Sequence, residues 1–328
     1  MKRRATGVVW GWRLLRFAAL GIAFPAAACL NSFQSEILIY QRQGDEAQVA
    51  RIITGLEADF KKDHSLEHSN DLAVARVLVH RYDEAIALLQ ETERRFPGNA
   101  IVAANLGTAL ELIGDDAEAL KWIREGVRRD PKEHLGSEWL HVRILEAKGS
   151  IAKDPHWLDT YTVLGVDFGS EVRPRASGPF PLDENGSPRT VKGVSDSLLY
   201  QLGERTKFVK PPDAIVADLF AAHGDLAFES FGTVGEEGIF SMIADPAPLY
   251  EDALKYGSKR SELVKRRLDA LNKIYREATV SVVEPAEPYA LVDGWAPSAF
   301  SPWLILSGVV IGVGGAWWWR RQSKVRRP

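Results

Sequence analysis

Two histidines one helical turn apart are the side chains in this sequence whose spacing comes nearest to known chemistry. His64 and His68 are four residues apart, so on a helix their imidazoles would lie on one face, an arrangement that zinc sites use. The intervening Glu67 does not directly follow the first histidine, as a zinc-protease motif requires. A solvated helix start is the simpler interpretation of the pair. We therefore predict no metal site and no cofactor.

Motifs for nucleophilic or phosphate chemistry are also missing from the sequence. It contains no Gly-x-Ser-x-Gly elbow and no Gly-x-x-x-x-Gly-Lys loop. Acidic pairs such as Asp115-Asp116 stand at turns, where solubility explains them. Catalysis needs a nucleophile, a base and a means of stabilising charge in one place, and no such set is evident. We expect no catalytic residues and a protein that is not an enzyme.

The charge of the chain is divided between its ends and its middle. Residues 1–28 and 320–328 each hold five basic residues and no acidic one. Removing those ten from the 41 Lys and Arg leaves 31 against 44 Asp and Glu, a charge of about −13. Nucleic-acid binding needs clustered basic side chains that release counterions, so an acidic middle argues against a nucleic-acid partner.

An internal repeat with an offset of 34 residues lies between about Leu66 and Lys148. The offset pairs Leu72 with Leu106, Ala73 with Gly107, Ala85 with Ala119, Leu89 with Ile123 and Pro97 with Pro131. Residues 81–99 and 115–133, each with a proline near the end, resemble the second helices of tetratricopeptide repeats. Small residues at the paired positions would let two helices approach closely, and the leucines would fill the seam between neighbouring helix pairs.

The resemblance implies a concave face lined by the first helix of each repeat. On the family's geometry the exposed, protein-binding positions of that face are Asn70, Val74, Val77, Ala104, Asn105, Thr108, Glu111, Glu138, Val142 and Leu145. An extended peptide or a partner helix could bind there. Some members of the family bind C-terminal carboxylates through lysines and asparagines on this face, and only Asn105 matches that pattern. The alternative is that these residues are solvated or pack against the C-terminal half of the chain.

The N-terminus has the pattern of a secretory signal peptide. Lys2, Arg3 and Arg4 precede a short apolar stretch, and Pro25-Ala26-Ala27-Ala28 provides an Ala-x-Ala exit. Cleavage after Ala28 would make Cys29 the first residue, which resembles a bacterial lipoprotein with an acylated thiol. Ala26 stands where lipoproteins usually have leucine, so simple removal and an uncleaved anchor stay open as alternatives. Cys29 is the lone cysteine, which excludes an internal disulfide.

Residues 301–319 contain no charged side chain and are predicted to form one membrane-spanning helix. Tryptophans stand at both of its ends, and the basic tail 320–328 follows, which places the C-terminus in the cytoplasm by the positive-inside rule. Gly308 and Gly312 could allow this helix to pair with another. A helix of this kind followed by arginines also resembles a sorting tag that is cleaved, although the expected motif before it is unclear.

The predicted fold class is therefore all-α: a tetratricopeptide-like helical-repeat solenoid with additional C-terminal helices and one C-terminal transmembrane helix. The rest of the chain follows from Pro and Gly content and from helical periodicity. The predicted segments are a signal peptide 1–28, an N-terminal helical segment 29–65, repeats 66–148, a connecting segment with a Pro/Gly-rich loop 149–194, a helical region 195–278, an extended tether 279–300, the membrane helix 301–319 and a basic cytoplasmic tail 320–328.

Three functional hypotheses follow from these features. The first is an adaptor in the bacterial cell envelope, held in the inner membrane by its single helix, that binds a protein or peptide on the periplasmic side. The second is an envelope enzyme or metal-dependent factor with a site in residues 157–231. The third is a structural subunit of an obligate membrane complex. A peptide-sized groove, a polar pocket with perturbed titrating groups or a broad apolar patch would distinguish them.

Overall fold

The computed structural model of the chain describes residues 30–33, 46–231 and 244–283. In this part the secondary structure is helical, and extended chain pairs only in two isolated bridges, Asp167 with Ser177 and Leu182 with Pro188. The all-α prediction is thus confirmed for these residues. The chain divides into two units, residues 1–278 and 279–328, and only the first five residues of the second are described.

None of the helices in the described ranges is both long enough and apolar enough to cross a bilayer. The predicted signal peptide 1–28, Cys29 and the predicted membrane helix 301–319 with Gly308 and Gly312 lie outside those ranges. These assignments therefore stay predictions.

The described helices follow one another along the chain with short connections. They are α1 (Glu46–Lys62), α2 (Leu66–Leu78), α3 (Tyr82–Arg95), α4 (Ala100–Leu112), α5 (Asp116–Arg129), α6 (Glu133–Gly136), α7 (Glu138–Lys153), α8 (Trp157–Thr160), α9 (Val191–Phe208), α10 (Ala214–Ser230), α11 (Pro246–Lys255) and α12 (Ser261–Val283).

Local capping explains where the repeat helices begin and end. Ser65, Asn99 and Asp115 each accept a hydrogen bond from a backbone N–H in the first turn of the helix that follows, which satisfies a donor that has no partner within the helix. After α4 the chain turns at Gly114, whose φ of +85° lies in the region that favours glycine. These signals are local, so the helix pairs α2/α3 and α4/α5 follow from the sequence around each turn.

Close approach of the two helices in the second pair depends on Gly107. A Cβ atom at this position would lie 2.6 Å from Ile123 Cδ1 and 3.1 Å from the Ala119 carbonyl oxygen, which is too close for a side chain. Ala73 and Ala85 occupy the corresponding places in the first pair and are fully buried. The small residues that the 34-residue offset aligns are therefore the points where paired helices touch.

Helix α7 belongs to two hydrophobic cores. Leu145 packs in the core of the repeats, whereas Leu140 and Ile144 pack in a second core with residues of α9 to α12. Helix α7 begins at Glu138, and the preceding Leu135 is not part of it. Leu135 instead lies in a left-handed turn at φ +56° and is 85% exposed, because His134, Leu135 and Gly136 all have positive φ.

The second half contains four longer helices, α9 to α12, of which α9 and α10 pack on α7 and α11 packs on α10. Helix α9 begins at Val191, four residues before the predicted start at Ser195, because the Thr190 side chain accepts the Gly193 N–H and caps it. The segment between α8 and α9 has no regular structure of its own, and Phe168 from this segment is buried in the second core. The second half therefore forms a helical body continuous with the last helix of the repeats.

Candidate functional site

The first helices of the repeats, α2, α4 and α7, carry the ten residues that the resemblance assigned to an exposed concave face. The exposure is wrong: nine of them are buried, and Val142 is partly buried. The buried nine are Asn70, Val74, Val77, Ala104, Asn105, Thr108, Glu111, Glu138 and Leu145. The physical reason is that other parts of the chain cover this face. Whether these residues bind another protein stays a prediction.

The ten residues separate into an apolar and a polar group. Val74, Val77 and Leu145 belong to the core of the repeats, and Val142 packs against it. Ala104 lies against α5, since a Cβ at Gly126 would be 3.6 Å from the Ala104 Cβ. Among the polar residues, Asn70 and Asn105 contact residues 30–33, and Glu111 contacts α9. We refer to the surface formed by Asn70, Asp71, Asn105, Glu111, Glu138 and His141 as the inner face.

The first half of the inner face holds the short segment 30–33. Asn105 contacts both polar groups of the Asn31 backbone: its Oδ1 accepts the Asn31 N–H at 2.9 Å, and its Nδ2 donates to the Asn31 carbonyl at 2.8 Å. Asn70 Nδ2 donates to the same carbonyl at 3.0 Å, and Asn105 Nδ2 also donates to Asn70 Oδ1 at 2.8 Å. Two asparagines from successive repeats thus hydrogen-bond the main-chain N–H and carbonyl of one residue.

Asp71 and Glu133 add contacts to side chains of the same segment. One oxygen of Asp71 accepts hydrogen bonds from the Ser32 hydroxyl and from the Phe33 N–H, both at 2.8 Å. Asn31 donates from its side-chain amide to Glu133, and Leu30 is 4% exposed in the core of the repeats. The face therefore binds the main chain of Asn31 and also contacts side chains, an amide through Glu133 and a hydroxyl through Asp71.

A buried ion cluster occupies the second half of the inner face. The Glu111 carboxylate on α4 pairs with three side chains. These are Arg205 of α9 at 3.0 Å, His141 Nε2 of α7 at 2.7 Å and Lys148 of α7 at 3.1 Å. Burial opposes ionisation of Glu111, but Arg205, Lys148 and His141 outweigh it and hold the pKa of this carboxyl well below its usual range. Glu111 is therefore a carboxylate that joins three helices.

His141 continues this cluster toward Glu138. Its ring lies between the two carboxylates, with Nδ1 3.5 Å from Glu138, while His134 Nδ1 lies 3.0 Å from the other oxygen of Glu138. Burial lowers the pKa of His141, but Glu138 and Glu111 more than compensate, so that the pKa is raised. Burial likewise opposes ionisation of Glu138, but the two histidines lower its pKa.

The two coverings of the inner face are held by different kinds of contact. Helix α9 buries Val194, Leu198 and Leu202 in the second core, which contributes roughly 5 to 9 kcal/mol at the usual value for buried aliphatic side chains. The segment 30–33 buries one such side chain, Leu30, and otherwise depends on hydrogen bonds with a net worth of about 1 kcal/mol each. The helix also carries the buried Arg205–Glu111 pair and belongs to the second core, so it is a fixed part of the fold, whereas the segment is held by contacts that another extended segment could remake.

The second half of the chain contains a cleft of about 820 Å³ between α7, residues 157–170 and the start of α12. Its lining includes Arg143, Arg260 and the stacked rings of Trp157 and Tyr161, whose centroids are 5.3 Å apart. The cleft lies partly within residues 157–231, where the sequence left an enzyme site open as an alternative. The buried pairs Ser195–His223 and Asp225–Arg267 of this half do not line it, whereas Arg260, which lies 3.1 Å from the buried Asp218, does.

Ser195 and His223 form one of those pairs. The Ser195 Oγ and His223 Nε2 are 2.9 Å apart, and both residues are buried between α9 and α10. Burial lowers the pKa of His223 to about 4, so the imidazole is neutral at physiological pH. A serine and histidine in contact can act as nucleophile and base, but neither lines the cleft in which a substrate could meet them.

The other buried pair holds a loop in place. Arg267 of α12 lies 2.6 Å from Asp225 of α10 and donates to the carbonyls of Phe168, Gly169 and Glu171. Burial raises the pKa of Asp225, and Arg267 offsets this only in part. The arginine has its donors directed at protein oxygens, which is the arrangement of a structural contact.

His64 and His68, whose spacing resembles that of zinc ligands, belong neither to the inner face nor to the lining of the cleft. His64 stacks on Phe60 with ring centroids 4.2 Å apart, and His68 Nδ1 lies 2.9 Å from Asp63. Among the described residues no group of three or more His, Cys, Asp or Glu side chains is arranged to hold a metal ion.

Sequence reasoning found Asn70, Asn105, Glu111 and Glu138 but missed the residues that meet them. Asn31, Ser32, Asp71, Glu133, His141 and Arg205 were not assigned to a site. One signal was available: Ser69-Asn70-Asp71 is a polar triplet inside a helix that is otherwise buried, and a helix in a core does not carry three adjacent buried polar residues without partners. The partners themselves are far away in the sequence.

Comparison with known proteins agrees with the repeat. Residues 78–137 match the family model described as tetratricopeptide repeat. The matched range covers α3, α4 and α5 and reaches the turn before α7. No curated protein matches the chain.

Proposed function

We propose that this chain, which carries tetratricopeptide repeats at residues 78–137, is a non-catalytic adaptor that binds an extended segment of a partner protein on its inner face. Tetratricopeptide repeats generally serve protein–protein interaction. The observation that carries the proposal is the pair of asparagines, Asn70 and Asn105, that hydrogen-bond the main chain of an extended segment. Main-chain recognition of this kind provides affinity for many sequences, and neighbouring side chains provide the selection.

The sequence supports a location for this adaptor. The basic start and Ala-x-Ala exit of residues 1–28 support export, and the uncharged stretch 301–319 with its basic tail supports a single membrane helix. We therefore infer a body on the periplasmic side of a bacterial inner membrane and a cytoplasmic C-terminus. Pairing of the membrane helix through Gly308 and Gly312 would be compatible with this arrangement.

The inner-face function predicts that Asn105→Ala weakens partner binding by about tenfold to thirtyfold. The variant removes the two hydrogen bonds to one residue's main chain, each worth about 1 kcal/mol, and each 1.4 kcal/mol corresponds to about tenfold in affinity. The measurement is crosslinking in intact cells, followed by affinity purification of the full-length protein and quantification of the recovered partner.

The matched control for this experiment is Asn185→Ala, which removes the same side chain from an exposed turn. We expect the partner in the wild type and in Asn185→Ala, and a strong loss in Asn105→Ala. Equal recovery in all three would contradict binding at the inner face. It would direct attention to the cleft beside Trp157 and Tyr161.

The inferred location makes a separate prediction. In spheroplasts of the native host, external protease should digest the repeat body, while an epitope after Pro328 should stay protected until the membrane is permeabilised. The physical reason is that the basic tail is retained on the cytoplasmic side. Digestion of the epitope together with the body, or release of the protein by a salt wash, would overturn the single-helix tether.

A further inference from the structure

The segment that fills the first half of the inner face is part of the same chain. Residues 30–33 precede α1, and residues 34–45 link the two along the chain. The segment makes the contacts that an extended ligand would make: its main chain bonds Asn70 and Asn105, its hydroxyl bonds Asp71 and its apolar residue enters the repeat core. The structure therefore shows the inner face with a ligand supplied in cis.

The structure also indicates which covering a partner could replace. Displacing α9 would separate Arg205 from Glu111 and expose a helix whose apolar residues belong to the second core. Displacing residues 30–33 would expose one leucine and release a few polar contacts, all of which a second extended segment could remake. A partner segment that replaces residues 30–33 therefore disrupts less of the fold than one that displaces α9.

We propose that residues 30–33 are a tethered competitor of the inner face, which a partner segment must displace in order to bind. The proposal rests on the proposed function and deepens it by naming the class of ligand. That ligand is an extended peptide with an apolar residue, then asparagine or another side chain that can donate to Glu133, then serine or threonine, in the positions of Leu30, Asn31 and Ser32. Asp71 selects the hydroxyl, because its acceptor oxygen lies 2.8 Å from the Ser32 Oγ.

Tethering makes even a weak segment an effective competitor. A short linker holds its ligand at an effective concentration on the order of 1 mM. If the segment alone bound with a dissociation constant of about 0.1 mM, the face would be occupied about ten times more often than free, and a competing peptide would bind about tenfold more weakly. Removing the competitor should recover that factor.

The test uses Ser32→Asp in the full-length protein, purified in detergent micelles. The substitution places a carboxylate against Asp71, and like charges at this distance repel, so residues 30–33 leave the face without any change in the repeats. The probe is a fluorescent synthetic peptide with the sequence of residues 30–36, Leu-Asn-Ser-Phe-Gln-Ser-Glu. Fluorescence anisotropy measures its binding to each protein.

We expect the peptide to bind Ser32→Asp about tenfold more tightly than the wild type, and Asn105→Ala added to that variant should abolish binding. Ser170→Asp, the same change at an exposed site, should behave as the wild type. A peptide in which aspartate replaces its first serine should not bind any of the proteins. If residues 30–33 occupy the wild-type face so strongly that no dissociation constant can be measured for the peptide, saturable binding to Ser32→Asp alone supports the proposal equally.

Two outcomes would overturn the proposal. One is equal binding of the peptide to the wild type and to Ser32→Asp, which would mean that the segment does not compete. The other is no binding to Ser32→Asp when circular dichroism shows that it is folded, which would mean that residues 30–33 have no affinity for the face. The peptide assay is independent of the cellular partner, so equal partner recovery in cells by Ser32→Asp and by the Ser32→Asp, Asn105→Ala double variant, both without the competitor, would contradict the proposed function alone.

Discussion

Replacing Arg267 with leucine is expected to lower the free energy of unfolding by about 3 to 5 kcal/mol, because it removes one member of a buried ion pair. The change leaves the buried Asp225 with only the more distant Arg260 as a guanidinium partner, at 3.8 Å, and leaves the carbonyls of Phe168, Gly169 and Glu171 without the donors they now have. Urea denaturation of the full-length protein in detergent micelles, followed by tryptophan fluorescence, measures the difference.

The penalty for this substitution should increase with pH. Burial already raises the pKa of Asp225, and the loss of Arg267 raises it further, so the folded variant retains a proton that the unfolded chain releases above its ordinary pKa of about 4. A folded state that binds more protons loses stability as pH rises through this range. We therefore expect Arg267→Leu to be more destabilising at pH 8 than at pH 5.

Arg266 provides the matched control for this experiment. It is the preceding residue of α12, it is exposed, and its one hydrogen bond, to the Ser170 carbonyl, is long at 3.4 Å. Arg266→Leu should change the free energy of unfolding by about 0.5 kcal/mol or less. Similar losses in the two variants would show that the contact between Arg267 and the loop contributes little.

Replacing Glu111 with glutamine is also expected to lower the free energy of unfolding by about 3 to 5 kcal/mol. It should weaken the packing of α9 on the inner face. Glutamine has nearly the same shape but no charge, so the buried Arg205 loses the carboxylate that compensates it, while Lys148 keeps Asp116 at 2.6 Å. Since Arg205 belongs to α9, the loss should appear in that helix first. Hydrogen exchange followed by mass spectrometry should show faster exchange in Val191–Phe208 than in the repeat helices.

Glu118→Gln is the control for the Glu111 experiment. Glu118 lies on the following helix and pairs with Lys121, but both side chains are substantially exposed. Exposed pairs of this kind contribute about 0 to 1 kcal/mol, so neither the stability nor the exchange of α9 should change much. If Glu111→Gln left exchange in α9 at the wild-type rate, Glu111 would not be what holds this helix on the inner face.

The helix pairs could be predicted from the sequence because their determinants are local or regularly spaced. The 34-residue offset placed Ala73, Ala85 and Gly107 at helix contacts, and the structure has these small residues at such contacts. Side-chain caps at Ser65, Asn99 and Asp115 set the helix starts. The sequence did not predict the left-handed turn at His134, because leucine, which follows it at Leu135, rarely adopts a positive φ.

The burial of the inner face could not be predicted from the sequence. Four of its six polar residues followed from the repeat, but their exposure did not. A helix position that faces away from its own pair can meet solvent, a partner or another part of the chain. Which of these applies depends on segments that are distant along the sequence. Asn31 is 74 residues from Asn105, and Arg205 is 94 residues from Glu111.

The sequence by itself therefore determined the helical class, the repeat, the acidic middle and the candidate export and membrane segments, all of which depend on composition or on spacing within one turn or one repeat. Only the tertiary structure decided that Glu111, His141 and Arg205 form one buried cluster and that residues 30–33 lie on Asn70 and Asn105. The physical reason is that these contacts are non-local. They arise from how the whole chain packs, and no periodicity in the sequence records them.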